Sequence, residues 1–242
     1  MGEEHFEINF RSDVTVELVK ASASDSDVVW AARVSTDGEN SLDDVDSDAS
    51  RSEGLINYLA RESHGSPFEH TSMTFFISAP IFVFREFMRH RIASYNEESG
   101  RYRELRPNFY IPSKERRLVQ IGKAGSYSFI DGTDEQYEIT VSAIKESCTV
   151  AYENYKKMLD AGVAREVARA VLPVGLYSSM YVTMNARALM NFLSLRTSRE
   201  GSHFPSYPQR EIEMVAEKME QYFATLMPLT HGAFEKSGRV AP

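Results

Sequence analysis

The residues best suited to chemistry crowd into one stretch, Arg89-His90-Arg91-Ile92-Ala93-Ser94-Tyr95-Asn96-Glu97-Glu98-Ser99-Gly100-Arg101-Tyr102. Six arginines (Arg85, Arg89, Arg91, Arg101, Arg103, Arg106) fall between positions 85 and 106 without a lysine, although eight of the chain's 27 basic residues are lysines. A guanidinium is a rigid fork that grips phosphate or carboxylate two-pronged, whereas an ammonium is a mobile point charge. The bias points to geometric recognition of an anionic, planar ligand. A solvated charged face would also collect arginines. Here, however, Glu97, Glu98, Ser99, Gly100 and Arg101 form a compact set of donors and acceptors, with a glycine where a backbone could approach a ligand.

The elements that position this stretch follow from its flanks. Ala79 to Met88 reads as a helix, with Pro80 suited to its first turn and Ile81, Phe84, Phe87 and Met88 on an apolar side. Arg85 and Arg89 then share a face, with Glu86 one turn before Arg89 and His90. After Ile92 the apolar period stops and Ser94, Asn96, Ser99 and Gly100 read as a loop.

The order Arg89-His90-Arg91, Ser94, Asn96, Ser99, Arg101 matches in full the signature RHRxxSxNxxSxR, seven fixed residues in thirteen positions, of the flavin-dependent thymidylate synthases, and the chain resembles that family. Matching stretches run from Ala31-Ala32-Arg33-Val34-Ser35 to Leu195-Arg196. The resemblance implies reductive methylation of dUMP at ring carbon 5 to dTMP. Methylenetetrahydrofolate would be the carbon donor, FAD the hydride carrier and NADPH the reductant, in a homotetramer whose subunits share sites. By position, Ser66, Arg89, His90, Arg91, Glu97, Asn185, Arg187 and Asn191 resemble the flavin contacts, and His64 resembles a residue near the folate and flavin rings. Glu86, Arg89, Glu97, Glu98, Ser99, Gly100, Arg101 and Arg169 resemble the nucleotide pocket. Arg196 resembles the family's ring-activating arginine, whose permanent cation favours the N3-deprotonated uracil and spreads charge toward carbon 5. The family's late flavin-contacting histidine has no counterpart a few residues past Arg196. The stretch Thr197 to Gln209 is longer than usual, and either His203 or Tyr207 takes that place.

Composition bounds the rest. With 242 residues, 42% of them hydrophobic, the chain can bury a substantial core and fits one catalytic domain over 1–242. A net charge of -8 argues against a general nucleic-acid binder, so the clustered arginines mark a local anion site. A single cysteine, Cys148, allows no internal disulfide and suits a reducing cytoplasm. No apolar run approaches the roughly 20 residues needed to span a bilayer, and the polar start does not resemble a signal peptide. No internal repeat is visible.

Val14 to Val19 alternates as a strand, and Asp25 to Val34 reads as a helix capped by Ser24 or Asp25. Residues 36–52 form an acidic, serine-rich surface loop (Asp37, Glu39, Asp43, Asp44, Asp46, Asp48), followed by a helix from Glu53 to Ser63. The turn His64 to His70 leads into a strand, Met73 to Ser78. His64, Glu69 and His70 do not have the spacing of a helical HExxH or a zinc finger, so a metal site is set aside. Arg103 to Pro112 is extended, and 113–133 is a polar stretch with no legible structure. A long helix runs from Glu135 to Leu159 with Ile139, Ala143, Tyr152, Tyr155 and Met158 inward. Cys148 within it reads as a small buried hydrophobe, since no histidine lies within a turn. Without a supported nucleophile, the pyrimidine ring must be activated another way. Ala164 to Leu172 is a short helix stopped by Pro173, Tyr177 to Met184 a strand, and Asn185 the cap of a helix from Ala186 to Leu195 that aligns Arg187, Asn191 and Ser194. Glu211 to Met227 closes the chain as an amphipathic helix. The alternation lacks a clean βαβ series, so the expected fold is a mixed α+β domain with helices packed on a small sheet. No GxGxxG or Walker sequence is present, and phosphates must meet side chains. Two other classes remain: a nucleic-acid module built on the arginines, and a non-catalytic oligomer whose charges only form ion pairs.

Overall fold

The computed structural model describes residues 7–42, 49–123 and 126–242. In chain order the elements are β1 (Asn9–Arg11), β2 (Thr15–Ser22), α1 (Asp25–Asp37), α2 (Ala49–Arg61), β3 (Ser72–Pro80), α3 (Ile81–Phe87), β4 (Ser94–Glu97), β5 (Asn108–Tyr110) and β6 (Val119–Lys123). There follow β7 (Ser126–Ile130), α4 (Asp134–Asp160), α5 (Arg165–Ala168), β8 (Tyr177–Met184), α6 (Ala186–Arg196), α7 (Arg210–Leu226) and α8 (Pro228–Lys236). The fold is mixed α+β. It divides into two compact units, one made of 7–13, Ala79–Phe84 and Glu98–Ser178, the other of Val14–Ser78, Arg85–Glu97 and Ser179–Pro242.

In the first unit β1 pairs in parallel with β5, and β6 and β7 form an antiparallel hairpin. That hairpin is the structure within 113–133. Helix α4 begins at a capping box in which Thr133 and Gln136 satisfy each other's backbone amides. It buries Cys148, Tyr152 and Tyr155 on one face, against Leu105, Phe109, Ala168 and Leu176. Ile139, at 62% exposed, and Ala143 face outward, contrary to the sequence reading; the buried stripe starts only with Ile144 and Cys148. The Tyr152 hydroxyl donates to Leu105 O (3.0 Å) and the Tyr155 hydroxyl accepts from Leu105 N (3.2 Å). Leu105 is therefore fixed through both of its backbone groups, between Arg103 and Arg106 of the arginine-rich stretch.

The second unit carries a sheet of order β2-β3-β8-β4, antiparallel between β2 and β3 and between β4 and β8. Alternate residues of β3 (Met73, Phe75, Ile77) turn into the core, as period two requires. Helix α7 buries Ile212, Val215, Ala216, Met219 and Phe223 at helical spacing. Ser24 caps α1 in a capping box with Asp27, and Asn185 caps α6 by accepting from Ala188 N (2.8 Å).

Four boundaries differ from the sequence reading. Ala79 and Pro80 end β3, and the helix starts at Ile81, because the first amides of α3 donate to Leu176 O and Val174 O. Ser94–Glu97 is a strand, held by backbone pairing to Met180–Thr183 that its polar side chains do not disclose. The stretch 36–52, expected as one loop, is regular at both ends: α1 continues to Asp37, a 3-10 turn covers Gly38–Leu42 and α2 begins at Ala49. Asp43, Asp44, Asp46 and Asp48 lie outside the described residues. Finally, α7 does not close the chain: Pro228 opens α8. Among the described residues no helix is long and apolar enough to cross a membrane.

Candidate functional site

In the second unit the site is built on the end of α6. Arg196 is its last residue, and its partners come from α3 and the turn after it. Arg196 Nη1 donates to Glu86 Oε2 (2.6 Å), Nη2 to Glu86 O (3.4 Å) and Nε to His90 Nε2 (3.1 Å). A guanidinium has five N–H groups, so these three bonds leave two for a ligand. His90 is not helical. Arg89 N and His90 N reach back only three residues, to Glu86 O and Phe87 O, and the Tyr95 hydroxyl bonds the Phe87 and His90 carbonyls (2.8 and 2.7 Å). This ends α3 at Phe87 and turns the His90 ring inward, edge-on to Phe192 at 4.9 Å. Phe192 in turn stacks on Phe87 at 4.7 Å.

Burial and the neighbouring cation hold the His90 imidazole down at about 4. It is neutral at physiological pH, and its Nε2 is free of a proton, as accepting from Arg196 demands. Burial pushes the Glu86 carboxyl up, against the pull of Arg196, and Glu211 adds to the rise. The result is a permanent cation in a partly dry setting, aimed by two side chains and one carbonyl.

The other residues of this unit form a rim. Arg89 and Arg91 are exposed; Glu97 is half-buried at the end of β4. Ser66 opens the 3-10 turn Ser66–His70 and is exposed, as is His64, whose ring lies 5.7 Å from that of Tyr58. Arg187 pairs with Glu69 and donates to Pro242 O. Gly65 sits under that guanidinium, where a Cβ would also lie 2.7 Å from Pro242 O, so only glycine allows the turn and α6 to approach so closely. Asn185 spends its carbonyl on the α6 cap and keeps its amide donors. Asn191 is exposed one turn beyond Arg187. His203 and Tyr207 are exposed in the loop after α6, where His203 N donates to Gly238 O (2.8 Å).

The first unit holds a second group. Tyr102 N and Arg103 N both donate to Ser99 O (3.1 and 3.3 Å), folding Ser99-Gly100-Arg101 into a turn, and Arg101 N reaches Ser99 Oγ at 3.3 Å. Gly100 is buried. A Cβ there would stand 2.8 Å from Leu105 Cδ1 and 3.2 Å from Arg169 Cδ, so the absent side chain brings the Arg169 stem against the turn. Arg101 pairs with Glu166 (2.9 Å) and Arg103 with Glu98 (3.1 Å), all at or near the surface. Cys148 is 4% exposed and burial pushes its thiol up, so it offers no thiolate.

Sequence reasoning missed Tyr95, whose hydroxyl fixes the turn before His90, and the buried Thr197 and Glu220. Glu220 was findable, being a carboxylate set next to Met219 and one turn from Ala216 on the buried face of α7.

A family model described as thymidylate synthase complementing protein matches residues 17–229. A flavin-dependent thymidylate synthase of Streptomyces avermitilis is 68% identical over 235 residues, 97% of this chain and 96% of that protein. One from Thermotoga neapolitana is 42% identical over 225 residues, 91% of this chain and 90% of that protein. Among solved structures, the UMP/dUMP methylase PolB from Streptomyces cacaoi bound with 5-Br dUMP superposes with a TM-score of 0.93 at 55% identity, over 97% of this chain and 100% of that one. By its signature, its fold and these relatives along nearly its whole length, the chain belongs to the flavin-dependent thymidylate synthase family.

Proposed function

We propose that this chain methylates dUMP reductively at carbon 5 to give dTMP, with methylenetetrahydrofolate as carbon donor, FAD as hydride carrier and NADPH as reductant. One observation carries the reading: Arg196, the residue that matches the family's ring-activating arginine, is pinned by Glu86 and a neutral His90 with two donors left over. Those donors favour negative charge on the uracil N3 and O4 edge, which makes carbon 5 nucleophilic without any bond to the protein. Cys148 is buried and protonated, in keeping with a non-covalent route.

The donor set fits a flavin dinucleotide. Ser66, Arg89, Arg91, Arg187 and Asn191 present a hydroxyl, three forks and an amide at the surface, the chemistry that a diphosphate and a flat polar ring require. Glu97, Asn185 and His203 complete the residues that would hold it, and buried His90 would act through Arg196. FAD supplies the hydride when bound. Glu98, Ser99, Gly100, Arg101 and Arg169 take the nucleotide: the Ser99 turn offers a hydroxyl and amides, and the two arginines offer forks for a phosphate. His64 and the Tyr58 ring beside it form an aromatic wall suited to the folate. Ile92 (73% exposed), Tyr102 (79%) and Phe204 (68%) lie bare beside these residues, as in a homotetramer whose copies cover them and share sites. Nucleic acid and membrane are not among the proposed partners.

The test is chemical. Purified protein should be yellow, NADPH should bleach it, and dUMP with methylenetetrahydrofolate should yield dTMP. Arg196→Ala should keep the flavin and lose methylation. Near-normal turnover by that variant would refute ring activation. Equal use of UMP, as for the UMP/dUMP methylase PolB, would widen the substrate class. A monomer of full activity would overturn the shared-site assembly.

A further inference from the structure

A buried charged network holds the segment immediately after Arg196, and the proposed reaction makes no use of it. Thr197 is the C-cap of α6 and is 1% exposed. Its N–H and its hydroxyl both donate to Leu193 O (3.0 and 2.7 Å), and the hydroxyl accepts from Arg239 Nη2 at 2.9 Å. Arg239 is 5% exposed. Its Nη1 lies 2.7 Å from Glu220 Oε1, and its guanidinium stands 4.9 Å from the centre of the Phe234 ring. Glu220 also meets His231 Nε2 (3.1 Å) and Arg199 Nη2 (3.3 Å); burial pushes its carboxyl up, but the hydrogen bond with His231 and the charges of Arg239 and Arg199 hold it down at about 2.

Two features make this network unlike ordinary packing. Arg239 has φ 59°, a left-handed backbone that residues with a side chain rarely adopt. Its Nε and Nη1 also find no aligned hydrogen-bond acceptor among the described residues, so the contact with Glu220 is ionic rather than a well-made bond. A buried ion pair of this kind gives a fold little net stability compared with apolar residues of similar size. What it does give is fixed geometry. The same turn binds the loop beyond Arg196, through His203 N on Gly238 O (2.8 Å), while Ser206 Oγ donates to Thr197 O and Ser198 N to Glu213 Oε1 (2.9 Å). Glu220, His231 and Glu235 lie close enough to share a metal ion, but Arg239 and Arg199 already face Glu220 and meet its charge.

We propose that Arg239, braced by Glu220, is a positioning residue that fixes Thr197 and with it the last turn of α6, so that Arg196 points at Glu86 and His90 in the orientation methylation requires. This rests on Arg196 being the ring-activating group. Without the brace the last turn frays, as helix ends do, and the guanidinium loses its aim. Misplacement on the order of 1 Å is enough to cost about a hundredfold in rate.

The experiment measures kcat, KM for dUMP, flavin content and melting temperature in Thr197→Val and Thr197→Ser, each alone and in an Arg196→Lys background. Thr197→Val should lower kcat about tenfold, with KM and flavin content within about twofold of wild type, and Thr197→Ser should recover most of the loss. In the Arg196→Lys background Thr197→Val should add less than about twofold, because residues acting through one group are not additive. If Thr197→Val does not accumulate as folded protein, Arg239→Lys replaces it: the charge facing Glu220 is kept, the fork to Thr197 is lost, and the same kcat pattern is expected. Full kcat in these variants, an equal loss in the Arg196→Lys background, or a loss matched by lost flavin would overturn the proposal. Normal turnover by Arg196→Ala would instead sink ring activation itself, so the two failures are distinguishable.

Discussion

Two arginine–glutamate pairs, one in each unit, have nearly the same length and opposite character. Arg196 and Glu86 meet at 2.6 Å with side chains 19% and 24% exposed; Arg101 and Glu166 meet at 2.9 Å with side chains 55% and 52% exposed. Distance alone would rank them as equals. Screening separates them, because water around the exposed second pair reduces it to about 0–1 kcal/mol, while the first keeps much of its Coulomb energy and leaves an uncompensated charge if broken. The contrast fits the two jobs proposed for these arginines. Activating a ring demands a cation that is already aimed and does not reorganise, and Arg196 has His90 and Glu86 to aim it. Capturing a phosphate demands cations that can be released from weak partners at small cost, and Arg101 is such a cation.

The sharpest way to break this contrast is at Arg196. Arg196→Ala should lower kcat by about a thousandfold, the upper range for losing one preorganised charge in a site, with flavin content unchanged. Arg196→Lys should recover only part of it, because one ammonium cannot engage His90 and the Glu86 carboxylate as a fork does. Steady-state kinetics with flavin absorbance checks both, and a kcat within tenfold of wild type for Arg196→Ala would make the two pairs equivalent after all.

The dryness of the first pair has its own signature in pH. His90 stays neutral in the folded protein down to about 4, while the unfolded chain takes up a proton near 6.5. Stability from this residue is therefore intact above pH 6.5 and declines as pH falls toward 4, by roughly 3 kcal/mol in all. Glu220, held at about 2, begins to lose its contribution only below its ordinary 4.5, so the two windows separate. Melting temperatures from pH 7.5 to 4.5 should fall more in wild type than in His90→Gln. Parallel curves would mean that the imidazole is not desolvated.

How much of this was legible in the chain depends on the range of each interaction. Ser24, Asn185 and Tyr177–Met184 were readable because a cap or a period-two alternation is complete within a few residues. The signature exposed its arginines and serines for the same reason. Pro80 misled, since proline suits a helix start as well as a strand end, and the choice was made by Leu176 and Val174 carbonyls far along the chain. Ser94–Glu97 became a strand through backbone pairing with β8 alone. The pair that aims Arg196 spans 106 residues to His90 and 110 to Glu86, and no spacing rule reaches that far. Arg239, 42 residues from Thr197, was invisible on the same ground.

On the exposed side of the contrast, Ser99→Ala removes one hydroxyl from the turn that carries Arg101. A hydrogen bond to a charged phosphate is worth about 1.5–3 kcal/mol, so dUMP should bind roughly ten- to a hundredfold more weakly, with kcat little changed. The reverse outcome, lost turnover at unchanged affinity, would make Ser99 a nucleophile and move chemistry into the first unit.

The smallest expected effect is also the most direct reading of exchangeability. In the proposed nucleotide site, Glu166 would compete with an incoming phosphate for Arg101, and as a half-exposed partner it would compete weakly. Glu166→Gln should therefore tighten dUMP binding by no more than about threefold at low ionic strength, and the gain should vanish near 0.5 M salt, where screening acts within about 4 Å. Calorimetric titration at two salt concentrations measures it. A tenfold gain, or one that survives salt, would mean that Glu166 holds Arg101 as firmly as Glu86 holds Arg196. The first unit would then be a latch that binding must open, rather than a surface that waits with its cations loosely paired.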